Sequence, residues 1–173
     1  MNVLTHEHHD LFAGDAGDAE KARREFLTCT LGSETYGIDI LQVQEIRELE
    51  HVTRVPRAAS FVRGVINLRG AIVPVVDLGL MFGFPEPLPL KNASTIVLNV
   101  EGRLVGLVVA SVSDVVALAE DEIRAAPELG ERAIGAAIAG IGVRSDGEGQ
   151  GEAGSVLLLD VEHLMRRIRM ERE

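Results

Sequence analysis

Few residues in this chain are of types and spacings that could do chemistry. His6, His8 and His9 form one ligand-like cluster, with the His–x–His spacing a transition metal can use. A structural metal site needs about four ligands on a rigid frame, and this trio lies in a small, polar, acidic stretch broken by Gly14 and Gly17. No metal site is expected. The run Asp146-Gly147-Glu148-Gly149-Gln150-Gly151 starts like a calcium loop, with glycine in the sixth place, but the twelfth place holds Leu157 where a bidentate Glu is required. Ser33, Ser60, Ser94, Ser111 and Ser113 lack a nucleophile elbow, and His51 and His163 have no sequence neighbour to orient them. Gly135, Gly140 and Gly142 form no phosphate-binding fingerprint, and no G-K-[ST] loop occurs. Catalytic residues and cofactors are therefore expected to be none.

Glu45 and Arg69 are the charges that stand out. Arg69 lies in Asn67-Leu68-Arg69-Gly70, between the β-branched runs Val65–Ile66 and Ile72–Val76. Val and Ile fit a pleated, half-buried surface, and Asn and Gly tolerate the positive φ of a hairpin turn. One cation is thus presented at a rigid strand junction with no nucleophile or base beside it, which suits recognition. A guanidinium can bond a carboxylate and still offer donors outward, so a strand-borne Glu45 meeting Arg69 would hold the turn and leave donors for a partner.

The composition agrees. The chain has 173 residues, enough for one domain or for two small units sharing a core, and 46% are hydrophobic. Aromatics are only 3%, with no Trp, so the core is aliphatic and base stacking is scarcely available. A net charge of −10 repels a phosphate backbone, which argues against nucleic acid as a partner. Cys29 is the single cysteine; it alternates with Thr28 and Thr30 in a strand pattern and is expected to be a buried structural thiol. The N-terminus lacks the basic start and apolar run of a signal peptide, and no stretch is long enough to span a membrane, so a soluble cytoplasmic protein is expected.

Periodicity places the elements. Residues 1–24 read as a flexible tail. Strands are expected at Phe26–Leu31 and Tyr36–Ile40, and a helical turn leading into a short strand over Ile40–Ile46. The stretch from Glu48 to Arg63 reads as irregular, followed by the Arg69 hairpin and a short helix over Leu78–Phe84. Pro85, Pro87 and Pro89 make a stiff connector, placing an approximate boundary at 85–93. Beyond it the pattern starts again, with strands at Thr95–Val100, Leu104–Val109, Val112–Leu118, Ala139–Val143 and Ser155–Leu159, and a glycine-rich acidic loop at Ser145–Gly154. Asp160 is suited to N-cap a closing helix whose stripe is Val161, Leu164, Met165 and Ile168, and 169–173 form a short C-terminal tail. Two sets of short strands point to a mainly β protein of two small barrels.

From about Glu25 to Met165 the chain resembles the CheW family of chemotaxis coupling adaptors. The resemblance rests on F-L-x-x-x-L-G at Phe26–Gly32, Y-G-I-D-I at Tyr36–Ile40, V-Q-E-I at Val43–Ile46 and V-T-R-V-P at Val52–Pro56. It continues through G-V-I-N-L-R-G at Gly64–Gly70, I-V-P-V-V-D-L at Ile72–Leu78, V-G-L-V-V at Val105–Val109, V-S-D-V at Val112–Val115 and L-L-L-D at Leu157–Asp160. It implies one domain over 25–168, built as two SH3-like β-barrel subdomains packed together, with a C-terminal helix. It also implies a non-catalytic scaffold whose partners are the cytoplasmic tips of chemoreceptors and the regulatory domain of a CheA-type histidine kinase, with the membrane reached only through the receptors. By motif matching, Val43, Glu45, Gly64 and Arg69 fall in the receptor-binding region, and Leu27 and Ile40 at the kinase-binding interface. The chain departs from the family pattern at Ala59, Gly79 and Ala110 and in the acidic insertion at Ser145–Gly154. Two roles follow: coupling both partners, or acting as a competitor or insulator that binds only one.

Overall fold

A computed structural model describes residues 22–49, 51–126, 137–143 and 154–170. The first hairpin is β1 (Arg23–Leu31) and β2 (Glu34–Asp39), followed by a 3-10 turn at Ile40–Gln42 and β3 (Val43–Glu48). Next come β4 (Val62–Leu68), β5 (Ala71–Asp77) and a one-turn helix α1 (Leu78–Met81). A second hairpin, β6 (Ser94–Val100) and β7 (Arg103–Val109), leads into β8 (Ser111–Ala119), a 3-10 turn at Glu120–Glu122, β9 (Ile123–Ala125), β10 (Ile138–Val143), β11 (Ser155–Leu159) and α2 (Val161–Met170).

The strands form two sheets, one ordered β8-β1-β2-β11-β10-β9 and the other β3-β6-β7-β5-β4. From β8 to β10 and from β3 to β4 the pairings run in the same sense: antiparallel, antiparallel, parallel, antiparallel. The correspondence reaches single residues. Leu31 pairs with Glu34 across one turn as Val100 pairs with Arg103 across the other, and Gly37 and Gly106 each sit in the parallel pairing of their sheet. Even β9 has a counterpart, since the lone bridge between Thr53 and Val65 flanks β4 as β9 flanks β10. The chain is thus a repeat, hairpin then three-strand unit then helix, run twice. Each hairpin belongs to the sheet completed by the other half's three-strand unit.

This changes the meaning of the proline-rich connector. Placed at 85–93 as the boundary between barrels, it divides the two sequence repeats, while β3–β5 before it and β6–β7 after it share one sheet. Nor does it hang free. The Leu88 N–H donates to Asp77 Oδ2 at 2.8 Å, and Arg63 Nη1 donates to the Leu88 carbonyl at 2.7 Å.

Both faces of the central strands are apolar because both are covered. Leu27, Cys29 and Leu31 of β1 and Ile96, Leu98 and Val100 of β6 meet in one core between the sheets, joined by Leu78 and Met81 of α1 and by Val161, Leu164 and Ile168 of α2. The alternate residues line smaller cores, Phe26 with Val116 and Leu118 in one barrel and Val97 with Val73 and Val75 in the other. Of the stripe expected for the closing helix, Val161, Leu164 and Ile168 are buried and Met165 is half-buried, and Asp160 caps the helix by accepting the His163 N–H at 3.0 Å. Helix α1 stops at Met81, short of the expected Phe84, because Gly83 takes φ +92° and the Phe84 N–H folds back to the Gly79 carbonyl at 2.8 Å. Strand β9 escaped the sequence reading: it is three residues long, with a single apolar side chain larger than Ala.

Candidate functional site

The β4–β5 turn places Arg69 through local chemistry. Arg69 (φ +50°) and Gly70 (φ +92°) are its two central residues, and the Asn67 side chain accepts the Gly70 N–H at 2.9 Å. Successive positive φ values match the turn to the right-handed twist of the strands. The β6–β7 turn uses the same device, with Glu101 at +53°, Gly102 at +85° and Asn99 accepting the Gly102 N–H at 3.0 Å. A non-glycine side chain at the first such position is uncommon. Its effect here is to hold Arg69 at the tip.

Glu45 comes to meet it from β3. A register shift against β6 lies between Val43 and Glu45. Arg69 Nη2 donates to Glu45 Oε2, and Arg47 Nη1 stands 3.5 Å from the other carboxylate oxygen. The Arg69 hydrogen bond, with the two guanidinium charges, holds the Glu45 carboxyl below its ordinary pKa, and the same bond raises that of Arg69. The Arg69 side chain stays 65% exposed against 27% for Glu45, so the guanidinium keeps outward-facing donors. The pairing expected from the residue types is therefore formed. Next to it Val43 is half-buried against the shared core, and Ile46 is exposed further along the strand.

The other predicted residues fare differently. Gly64 is buried with φ +147°, and a Cβ there would stand 2.3 Å from the Thr53 carbonyl oxygen. Its lack of a side chain lets Thr53 and Val65 exchange hydrogen bonds of 2.9 and 2.8 Å. Gly64 shapes the barrel and presents no side chain to a partner. Leu27 is 4% exposed inside the shared core, which removes it as a contact residue. On an alternating strand covered on both faces, the apolar side chains point inward whichever way they face. Ile40 is half-buried, and it is Leu41, in the same 3-10 turn, that projects into solvent at 89% exposure. Leu41 was legible only as one more apolar residue; the tight turn turns it outward.

Asp77 was read only as part of a motif, and the structure makes it a hub. It is fully buried, N-caps α1 through the Leu80 N–H at 3.0 Å, receives Arg63 Nη1 at 3.2 Å and holds Leu88. Cys29 is buried as expected, and burial pushes its thiol up to about 12. Among the described residues no group of His, Cys, Asp and Glu is arranged to hold a metal ion, and no helix is long and apolar enough to cross a membrane. His6, His8, His9 and most of the acidic loop lie outside the described residues.

A polar clamp at a rigid hairpin tip, beside apolar strand residues on a two-barrel frame, is the architecture of an adaptor fold. Residues 25–169 match the CheW-like domain, and the chain belongs to that family. It is 42% identical over 146 residues to the chemotaxis protein CheW of Klebsiella aerogenes, an alignment covering 84% of each chain. It is 36% identical over 106 residues to CheW of Rhizobium meliloti, covering 61% of this chain and 68% of that one. Among solved structures, that of the scaffolding protein TtCheW from Thermoanaerobacter tengcongensis matches with a TM-score of 0.69 at 28% identity, over 80% of this chain and 90% of that one.

Proposed function

We propose that this chain is a non-catalytic cytoplasmic coupler that joins chemoreceptor tips to a CheA-type histidine kinase within a membrane-associated signalling array. The observation that carries this reading is the Glu45–Arg69 clamp. A hairpin tip fixed by an ion pair, with donors left over and Val43 beside it, gives a receptor helix both a polar anchor and an apolar strip. Receptor contact is assigned to Val43, Glu45 and Arg69, with Gly64 shaping the strand behind them. The kinase contact is assigned to the turn carrying Ile40, with exposed Leu41 supplying the apolar surface that Leu27 cannot.

Co-sedimentation with receptor-bearing membranes and the kinase tests the assignment. Wild type should pellet with both and raise kinase activity. Arg69→Ala should lose the receptor and keep the kinase, and Leu41→Glu should do the reverse. A wild-type chain that pellets with only one partner is the insulator of the second reading. One that pellets with neither ends the coupling proposal.

A further inference from the structure

The two repeats differ in how they finish the space between the hairpin and the helix. In the first, Tyr36 of β2 and Phe82 just after α1 stack at a ring distance of 5.5 Å, and Phe84 packs over Gly32 in the hairpin turn. The counterparts of Tyr36 and Phe82, counted from the paired turns and from the capping residues Asp77 and Asp160, are Val105 and Met165, and that of Phe84 is Arg167. Among the described residues no ring fills the space there. A groove of about 580 Å³ lies open instead, floored by Ile72, Pro74, Val105 and Met165 and rimmed by Arg103 and Arg169. Ile72 is 65% exposed in it. A second hollow of about 270 Å³ continues along α2, where Arg166 joins the same two arginines and Glu101 and Glu162 also face in.

We propose that this groove receives the chain's own segment Asp10-Leu11-Phe12-Ala13-Gly14-Asp15, with the Phe12 ring on the apolar floor and the two aspartates toward Arg103 and Arg169. Three observations converge on that occupant. The counterpart space takes aromatic rings from its own chain, so the shape asks for one, and Phe12 is the only aromatic outside the described residues. Arg103, Arg166 and Arg169 make no hydrogen bond or ion pair among the described residues, so although Glu101 and Glu162 line the same hollow, the guanidinium donors are left unused. The path is short as well. Arg24, at the start of β1, lines a hollow with Asp160, Val161 and Glu162 at the first turn of α2, and the groove runs from there along a ten-residue helix. That helix is about 15 Å long, and the residues between Phe12 and Ala22 can span roughly 30 Å. This contact goes beyond the coupling role and stands without it.

The chain has no Trp, so Phe12→Trp places a unique emitter at the docking position. In the full-length protein its emission should be blue-shifted, and acrylamide should quench it several-fold less than in a peptide of residues 8–16 carrying the same Trp. Adding Arg103→Glu with Arg169→Glu should restore peptide-like quenching. Adding Asp10→Lys with Asp15→Lys instead, which leaves both barrels untouched, should do the same and guards against a groove variant that fails to fold. Peptide-like emission in the Phe12→Trp protein itself overturns the proposal. So does protection that grows with protein concentration alongside a dimer mass, which would assign the groove to the segment of a second copy.

Discussion

Strands β4 and β5 of one barrel correspond to β10 and β11 of the other, but the sequences that join them differ. The first is a two-residue turn carrying Arg69, clamped to Glu45 on the edge strand β3. The second runs from Val143 to Ser155 through Arg144 and the acidic residues Asp146, Glu148 and Glu152. The residue matching Glu45 on β8, again at a register shift, is Asp114. Its partner is not a cation but Thr28, whose hydroxyl donates to Asp114 Oδ1 at 3.1 Å and accepts the Asp114 N–H at 3.2 Å. One frame therefore carries a basic turn between β4 and β5, while the sequence joining β10 to β11 is acidic. The lesson is that pairing pattern fixes the barrel, while the turn sequence decides which copy carries the polar clamp.

The same asymmetry extends inward, and substitutions at matched positions separate what the frame needs from what one copy has added. The largest difference is expected at the two glycines. Gly64→Ala puts a Cβ 2.3 Å from the Thr53 carbonyl in a backbone conformation L-residues avoid, and should cost roughly 3 kcal/mol or more. At Gly140 a Cβ meets the Arg124 carbonyl at 3.0 Å without a positive φ, and Gly140→Ala should cost about 1 kcal/mol. Urea denaturation of the two variants measures the gap; equal losses would show that the barrels close in the same way.

The helix caps come next. Asp77 ends β5 and Asp160 follows β11, and each caps the helix after it. Only Asp77 is fully buried and also holds Arg63 and Leu88. Asp77→Ala should cost about 3 kcal/mol, since it strands a mostly buried guanidinium and a backbone N–H, while Asp160→Ala should cost about 1 kcal/mol. Comparable denaturation midpoints would reduce Asp77 to a cap.

Arg69→Ala should leave the melting temperature unchanged, because its ion pair is solvent-exposed. What should change is Glu45, whose carboxyl returns toward its ordinary pKa once the hydrogen bond is gone. A carbon-detected NMR titration reads this directly, and a titration identical to wild type would mean that the clamp does not persist in solution.

The smallest effect is that of pH on the clamp itself. A depressed carboxylate pKa contributes stability above its unfolded value, about 4.3, and loses it as pH falls through the lower folded value. Wild type should therefore keep the Arg69 tip fixed throughout the neutral and weakly acidic range and release it only as pH falls below the ordinary carboxylate range. Amide exchange at Gly70 follows the release; a transition near pH 6 would point to a different group.

Much of this was legible from residue types alone. Alternation placed ten of the eleven strands among the described residues, three of the four stripe residues of α2 are buried, and Asn67 with Gly70 announced the turn that orients Arg69. Each is a local property, set by side-chain period or by φ preference within a few residues. The encounter of Glu45 with Arg69 was anticipated from charge and geometry, while Asp77 as a hub was not: its partners Arg63 and Leu88 lie on opposite sides of it in sequence and converge only in three dimensions.

By itself, then, the sequence determined all the described strands but β9, the hairpin turns, the cap of the closing helix, the aliphatic core and the repeat that restarts after the prolines. Which hairpin joins which sheet was decided only by the tertiary structure. Backbone hydrogen bonds carry no side-chain label, and a β-branched strand pairs as readily with one edge as with another. Leu27 shows the consequence at a single residue. Its type and its place on an alternating strand suit a partner surface and a core equally well, and the second sheet settles the matter by covering it.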